Sequence, residues 1–186
     1  MYAIDKIRTV HDGWGRFALA MVRNGEGKVF ERQVEDHGEA VCVLPYDPAR
    51  KCVTLVRQPR VGPLYVGEEA MLLEAPAGLT DGEAPDAAGR REVEEETGLR
   101  LHEMESVGAH WSMPGCATER MHVFLAAYGP ADRVSNGGGV AHEHEEIEVV
   151  ELPFVEALAM IRDGRICDMK TVMVLQSLAL GHLELD

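Results

Sequence analysis

The chain has 186 residues, 46% of them hydrophobic and 27% charged, with a formal net charge of −14. That length bounds it to one main domain with room for a sizeable core, and so acidic a surface repels phosphate backbones, which argues against general nucleic-acid binding. No run is long and apolar enough to span a membrane, and the N-terminal MYAIDKIRTVHDGWG carries charges where a secretory signal needs an apolar stretch.

The elements can be read in chain order. RFALAMVRN (16–24) and KVFERQVED (28–36) flank NGEG and predict a hairpin. EAVCVLPYD (39–47) and KCVTLVRQP (51–59) predict two more strands with a turn at DPAR, and MLLEAPA (71–77) a short apolar strand entering a glycine turn. A helix starts near Pro85, which suits a first turn, and stops at Gly98, a natural C-terminal cap. MESVGAHW (104–111) and ERMHVFLAAY (119–128) read as strands, and residues 130–145 as a polar, glycine-rich loop long enough to suggest function. IEVVEL (147–152) reads as a strand. Phe154, Ala157, Leu158 and Ile161 recur at helical spacing up to DGR, and TVMVLQSLAL (171–180) is a final, largely buried helix. The order predicts an α+β fold, a mixed sheet between helices. Residues 1–37 form a separate antiparallel β segment and residues 38–186 the main domain.

The four cysteines, Cys42, Cys52, Cys116 and Cys167, form no Cys-x-x-Cys pair, so free thiols in a reducing, cytoplasmic setting are expected rather than a zinc or redox motif.

The densest chemistry lies in EAPAGLTDGEAPDAAGRREVEEETGLR (74–100), where Glu92, Glu94, Glu95 and Glu96 fall within five positions. Helical geometry gathers Glu92, Glu95 and Glu96 on one face and turns Glu94 away. Clustered carboxylates repel one another unless a divalent cation neutralises them, and hard oxygen ligands suit Mg²⁺ or Mn²⁺. By residue type alone, a metal site and a solvated acidic face fit equally well.

From Glu83 to Leu99 the spacing resembles the Nudix box, G-x5-E-x7-R-E-U-x-E-E-x-G-U with U aliphatic: Glu83, then Arg91-Glu92-Val93-Glu94-Glu95-Glu96-Thr97-Gly98-Leu99. One element departs. The pattern's glycine falls on Ala77, and Gly78 stands one position late, so the loop before the helix is a residue short. The resemblance implies a Nudix α/β/α sandwich with a mixed sheet. It also implies Mg²⁺ (Mn²⁺ as the alternative) held by Glu92, Glu95, Glu96 and the carbonyl of Ala77, with Glu83, Arg91 and Gly98 shaping the box.

LLEAPAG (72–78), SMPGCATER (112–120), NGGGVAHEHEEIEVVELPFVEAL (136–158) and DGRICDMKTVMVLQSLALGHL (163–183) are similar to the Nudix branch that hydrolyses nucleoside diphosphate sugars, the bacterial GDP-mannose hydrolases and ADP-ribose pyrophosphatases. Three roles come with that resemblance. Glu143 and Glu145 on the late loop are a catalytic base or water-orienting group and an added metal ligand. Glu96 joins the catalytic set. The N-terminal segment exchanges between the subunits of a homodimer. The partner is then a nucleotide-sugar substrate, with no nucleic acid and no membrane.

A diphosphate needs positive charge. VRQPR (56–60) puts Arg57 and Arg60 at a strand end, where their planar forks suit phosphate oxygens, and Arg120, Lys170 and Arg16 are further candidates. Strand-end arginines are also ordinary surface residues. Trp14, Tyr46, Tyr65 and Trp111 are of the type that stacks on a nucleobase, but aromatics among apolar neighbours read as core. His110 reads as packed, Met160, Met169 and Met173 as helix core, and His142 and His144 as solvated. Three rival readings remain: another Nudix activity such as nucleoside triphosphate or mRNA-cap hydrolysis, a non-catalytic Nudix-fold nucleotide-sugar sensor, and an acidic interaction protein with no ligand.

Overall fold

A computed structural model describes residues 1–140 and 146–181. The N-terminal part is a three-stranded antiparallel sheet: β1 (Ala3–Asp12), β2 (Arg16–Arg23) and β3 (Val29–Asp36), in that spatial order. The NGEG hairpin forms as expected, with the Asn24 side chain accepting from the backbone N–H groups of Glu26 and Lys28. β1 was not among the expected strands. All ten of its residues are exposed and its register with β2 slips twice, so no periodic apolar face announces it.

The larger sheet is mixed. Its strands are β4 (Glu39–Asp47), β5 (Cys52–Pro59), β6 (Met71–Glu74), β7 (Ala77–Leu79), β8 (Glu105–Trp111), β9 (Arg120–Ala127) and β10 (Glu148–Pro153). The main path runs β10-β5-β4-β9-β8, with β6 pairing β5 and β7 pairing β4. β4 and β9 are parallel, and the other pairs are antiparallel. β4 is covered on both faces, so Ala40–Leu44 reads as an unbroken apolar run rather than an alternating one.

Helices α1 (Val61–Tyr65), α2 (Pro85–Thr97), α3 (Phe154–Arg162) and α4 (Met169–Gly181) complete the chain. α3 and α4 cover one face of the sheet, where Cys42, Leu44, Val123 and Leu125 meet Phe154, Ala157, Val174 and Leu178. α2 covers the other, where Val43, Phe124 and Ala126 meet Val93. The period of two along β4 and β9 thus feeds two cores from the same strands, which makes the fold an α/β/α sandwich. α1 was not expected either: it is five residues long and buries nothing.

The two sheets are joined at one end of β3. Glu35 N–H donates to Cys116 O at 2.7 Å, and Thr118 N–H returns to Glu35 O at 2.9 Å. All four cysteines are free thiols, and among the described residues no helix is long and apolar enough to cross a membrane.

Candidate functional site

The acidic helix begins at a tight turn. Asp81 and Gly82 take φ of 49° and 84°, and Glu83 N–H donates to Thr80 O at 2.8 Å, the left-handed pair of a type I′ turn. Asp-Gly is the sequence such a turn favours, and a two-residue turn is how the chain spans a loop one residue short. Glu83 still arrives beside Arg91, whose Nε donates to its Oε1 at 2.8 Å.

Gly89 lets α2 press onto β4: a Cβ there would stand 3.0 Å from Val43 Cγ2. The buried side of the helix is Ala88, Gly89, Val93, Glu96 and Thr97. Two of its carboxylates, Glu92 and Glu96, lie against β7. Glu96 is 2% exposed, and its Oε2 accepts from Ala77 N–H at 3.3 Å. A Cβ on Gly78 would sit 2.2 Å from the Glu92 carboxyl carbon, so this carboxylate occupies space that only a glycine leaves. Arg91 ties the cluster together, reaching Glu92 at 2.9 Å, Glu95 at 3.1 Å and the Leu79 carbonyl at 3.4 Å. Partial burial would favour losing that guanidinium's proton, but Glu83, Glu92 and Glu95 outweigh it and hold the pKa above the usual arginine value. Glu94 faces away and pairs with Arg100 at 2.9 Å.

As the side chains stand, no three His, Cys, Asp or Glu groups among the described residues converge on one point in a ready metal site. The donor chemistry nevertheless fits a hard divalent cation: three carboxylates on one helix face, a backbone strand against them, and a glycine cradle under Glu92. Glu143 and Glu145, with His142 and His144, lie outside the described residues.

Beside β7 opens a cleft of about 660 Å³, bordered by Ala77, Gly78, Arg60, Lys170, Trp111 and Trp14. Its polar end is a charge network around Glu74, which is 1% exposed. Arg60 forks onto both Glu74 oxygens at 2.8 and 2.9 Å, and the Lys170 ammonium contacts Glu74 and lies 3.0 Å from Asp168. Asp168 also caps α4, accepting from Thr171 N–H at 3.0 Å and its hydroxyl at 2.6 Å, while Ala75 N–H donates to that hydroxyl at 2.7 Å. Burial pushes the Glu74 carboxyl up, but Arg60 and Lys170 outweigh it and hold the group below the usual carboxylate range. Burial likewise pushes Lys170 down, and Asp168 and Glu74 more than restore its charge.

The structure thus brings Arg60 and Lys170 together with Ala77. Arg57 lies instead in a separate hollow beyond α1, paired with Glu148 at 3.0 Å. Arg120 is exposed, with its guanidinium 5.7 Å from the Trp111 ring, and Arg16 stays on the N-terminal sheet, 3.9 Å from Asp36.

Several side chains expected in the core are at the cleft instead. Trp14 is 80% and Trp111 55% exposed, and His110 and Met169 are exposed beside them. Tyr65 is also exposed, whereas Tyr46, Met160 and Met173 pack on the core as expected. Trp14 stacks on His37, ring centres 5.2 Å apart, and His37 Nδ1 stands 3.6 Å from Glu119, a further cleft residue. Glu74, Asp168 and Glu119 were not among the expected site residues. For Glu74 a signal existed: one carboxylate inside the apolar run MLLEAPA requires a buried partner.

The chain is similar to known proteins over most of its length. A family model described as the NUDIX domain matches residues 36–167. A GDP-mannose pyrophosphatase of Cronobacter sakazakii is 45% identical over 159 residues, covering 85% of this chain and 82% of the relative. Those of Salmonella typhimurium and Pectobacterium atrosepticum are each 44% identical, over 162 and 164 residues, covering 87% of this chain and 84% and 83% of the relatives.

Proposed function

This chain belongs to the NUDIX family, and from that premise we propose that it hydrolyses the diphosphate bond of a nucleoside diphosphate sugar, of GDP-mannose type, with ADP-ribose as the second candidate. The relatives' activity points to the substrate class. The observation that carries the reading is that Ala77 and Gly78 belong to two neighbourhoods at once: their backbone abuts Glu96 and Glu92 on one side and borders the cleft containing Arg60 and Lys170 on the other.

In this reading Glu92, Glu95, Glu96 and the Ala77 carbonyl hold Mg²⁺, or Mn²⁺ as the alternative. When bound, such an ion supplies positive charge to the diphosphate and lowers the pKa of water near it. Arg60 and Lys170 meet the phosphate oxygens; Glu74 and Asp168 neutralise them in the substrate-free protein, so the net positive charge that a diphosphate needs comes from the bound cation. Trp111 and Trp14 offer aromatic faces to the base. Glu143 or Glu145 takes the proton of the attacking water or orients it. Water adds to one phosphorus, the bond from that phosphorus to the bridging oxygen breaks, and the leaving phosphate departs. The products are a nucleoside monophosphate and a sugar 1-phosphate, or AMP and ribose 5-phosphate from ADP-ribose.

GDP-mannose, ADP-ribose and other nucleotide sugars offered at equal concentration with Mg²⁺ should yield phosphatase-sensitive product, fastest with GDP-mannose and not at all after removal of divalent ions. Saturable binding without turnover would instead make the chain a sensor.

The acting unit in this reading is a cytoplasmic homodimer, with residues 1–37 as the unit exchanged between subunits. Ile4, Ile7 and Val10 of β1 are large apolar groups left in solvent within one subunit, which supports a second copy covering them. Light scattering should therefore give twice the chain mass; a mass of one chain at working concentration would remove the exchange.

A further inference from the structure

The last turn of α2 is electrostatically unfavourable. Glu94, Glu95 and Glu96 sit at the negative end of the helix dipole, and no basic residue occupies that turn. A helix end also leaves four carbonyls without intrahelical donors. Left open, such a turn frays; Glu96 would lose its place against Ala77 of β7, and Glu95 its place beside Arg91.

Glu94 O keeps the last intrahelical donor, and the four carbonyls after it, Glu95 to Gly98, accept from the loop after β9. Gly98 N–H, in a left-handed cap with φ of 73°, donates to Glu94 O at 3.0 Å. Gly139 N–H donates to Glu95 O at 3.1 Å and Gly138 N–H to Glu96 O at 2.9 Å. Arg133 Nη1 donates to Thr97 O at 2.9 Å. The first of these is an ordinary cap; the other three come from the loop after β9, across the chain. That loop is locked to the helix end by Val134 N–H to Gly98 O at 2.8 Å and Arg100 N–H to Asp132 O at 2.8 Å.

Backbone conformation favours glycine at all three positions, and close contact requires it at Gly137. Gly137, Gly138 and Gly139 have φ of 66°, 109° and 79°, and a Cβ on Gly137 would lie 2.4 Å from Glu96 O and 2.5 Å from the Thr97 carbonyl carbon. A glycine run in a long polar loop ordinarily signals freedom of motion. Here it allows backbone to approach backbone.

We propose that Gly137–Gly139 and Arg133 are positioning residues for the divalent-ion site, acting as a tertiary cap that fixes the α2 turn carrying Glu95 and Glu96. This rests on the reading that those carboxylates hold the ion. The cap ties together two elements distant in sequence through two backbone hydrogen bonds and one from the Arg133 guanidinium, so strain on the loop reaches the turn that carries the ligands.

Hydrogen exchange on the metal-free protein tests the cap directly. The amides of Gly138 and Gly139 should be protected like those within α2, and exchange as fast as an open loop would overturn the proposal. Mn²⁺ alone, titrated against Gly137→Ala and Arg133→Met, should bind about tenfold more weakly than to the parent, the scale seen when groups supporting metal ligands are removed. Gly164→Ala is the control. Gly164 also has a positive φ, 83°, but nothing lies within 4 Å of its would-be Cβ, so that variant should lose stability while keeping Mn²⁺ affinity. If Gly137→Ala and Arg133→Met melt earlier yet bind Mn²⁺ as the parent does, the cap is structural only and the proposal fails. Should Gly137→Ala not fold, Arg133→Met decides the matter. A parent that does not bind Mn²⁺ at all would overturn the metal reading itself, a different failure from equal binding by parent and variants.

Discussion

Glu96→Gln is expected to lower turnover of a nucleotide sugar by about 10²–10³-fold, the scale of losing a group that stabilises transition-state charge, while leaving the fold unchanged. The two halves of that expectation have separate causes. Glutamine has the shape of glutamate and keeps an oxygen to accept from Ala77 N–H, so packing at this 2% exposed site is retained. What disappears is the negative charge. An amide oxygen is a poor ligand for Mg²⁺ beside two remaining carboxylates, and the deficit grows as the diphosphate brings further negative charge into the cleft. Raising Mg²⁺ to saturation should recover only part of the loss, and the remainder should fall on kcat. Circular dichroism and melting in the absence of metal should match the parent. Full activity in a correctly folded Glu96→Gln protein would mean that this buried carboxylate is structural and that the metal assignment on α2 is wrong.

How far the site could be read in advance depended on how local its geometry is. The acidic face of α2 follows from helical spacing, and the cap at Gly98 from the conformation only glycine adopts easily; both lie within a few residues of chain. The shortened loop was visible as a departure from the family spacing, but its resolution needed the dihedrals of Asp81 and Gly82. The cations were harder. Arg57 and Arg60 stand three residues apart at the end of one strand, and nothing local separates the one paired on the far side with Glu148 from the one forked onto Glu74. Glu74 is 14 residues from Arg60 and 96 from Lys170, so the network exists only after β5, β6 and α4 assemble. Trp14 and Trp111 failed as core assignments for the related reason that a cleft wall and a core use the same apolar side chains. β1 was missed because its pairing with β2 buries none of its own residues, which leaves no periodicity to detect.

Glu74→Gln is expected to destabilise the protein by about 3 kcal/mol at neutral pH, the low end of the range for removing one member of a buried ion pair. The low end applies because Arg60 keeps 39% of its side chain exposed and can turn toward solvent once released, whereas Lys170 is largely enclosed and cannot. For a chain of this length such a loss lowers the melting temperature by roughly 6–12 °C. The pH dependence gives the assignment a second handle. Glu74's folded pKa is depressed, so its contribution is present above the unfolded carboxylate value near 4.5 and is lost as pH falls through the lower folded value. Lys170's folded pKa is raised, so its contribution is present below the unfolded amine value near 10.5 and is lost only as pH rises beyond that. Between those limits the network is fully charged, and the gap in melting temperature between parent and Glu74→Gln should stay level. Below the carboxylate limit the gap should close, because the parent then carries a protonated Glu74 and differs little from its amide analogue. Melting curves from acid to neutral pH measure this, and a gap that persists undiminished into strong acid would show that Glu74 stabilises the cleft by shape rather than by charge.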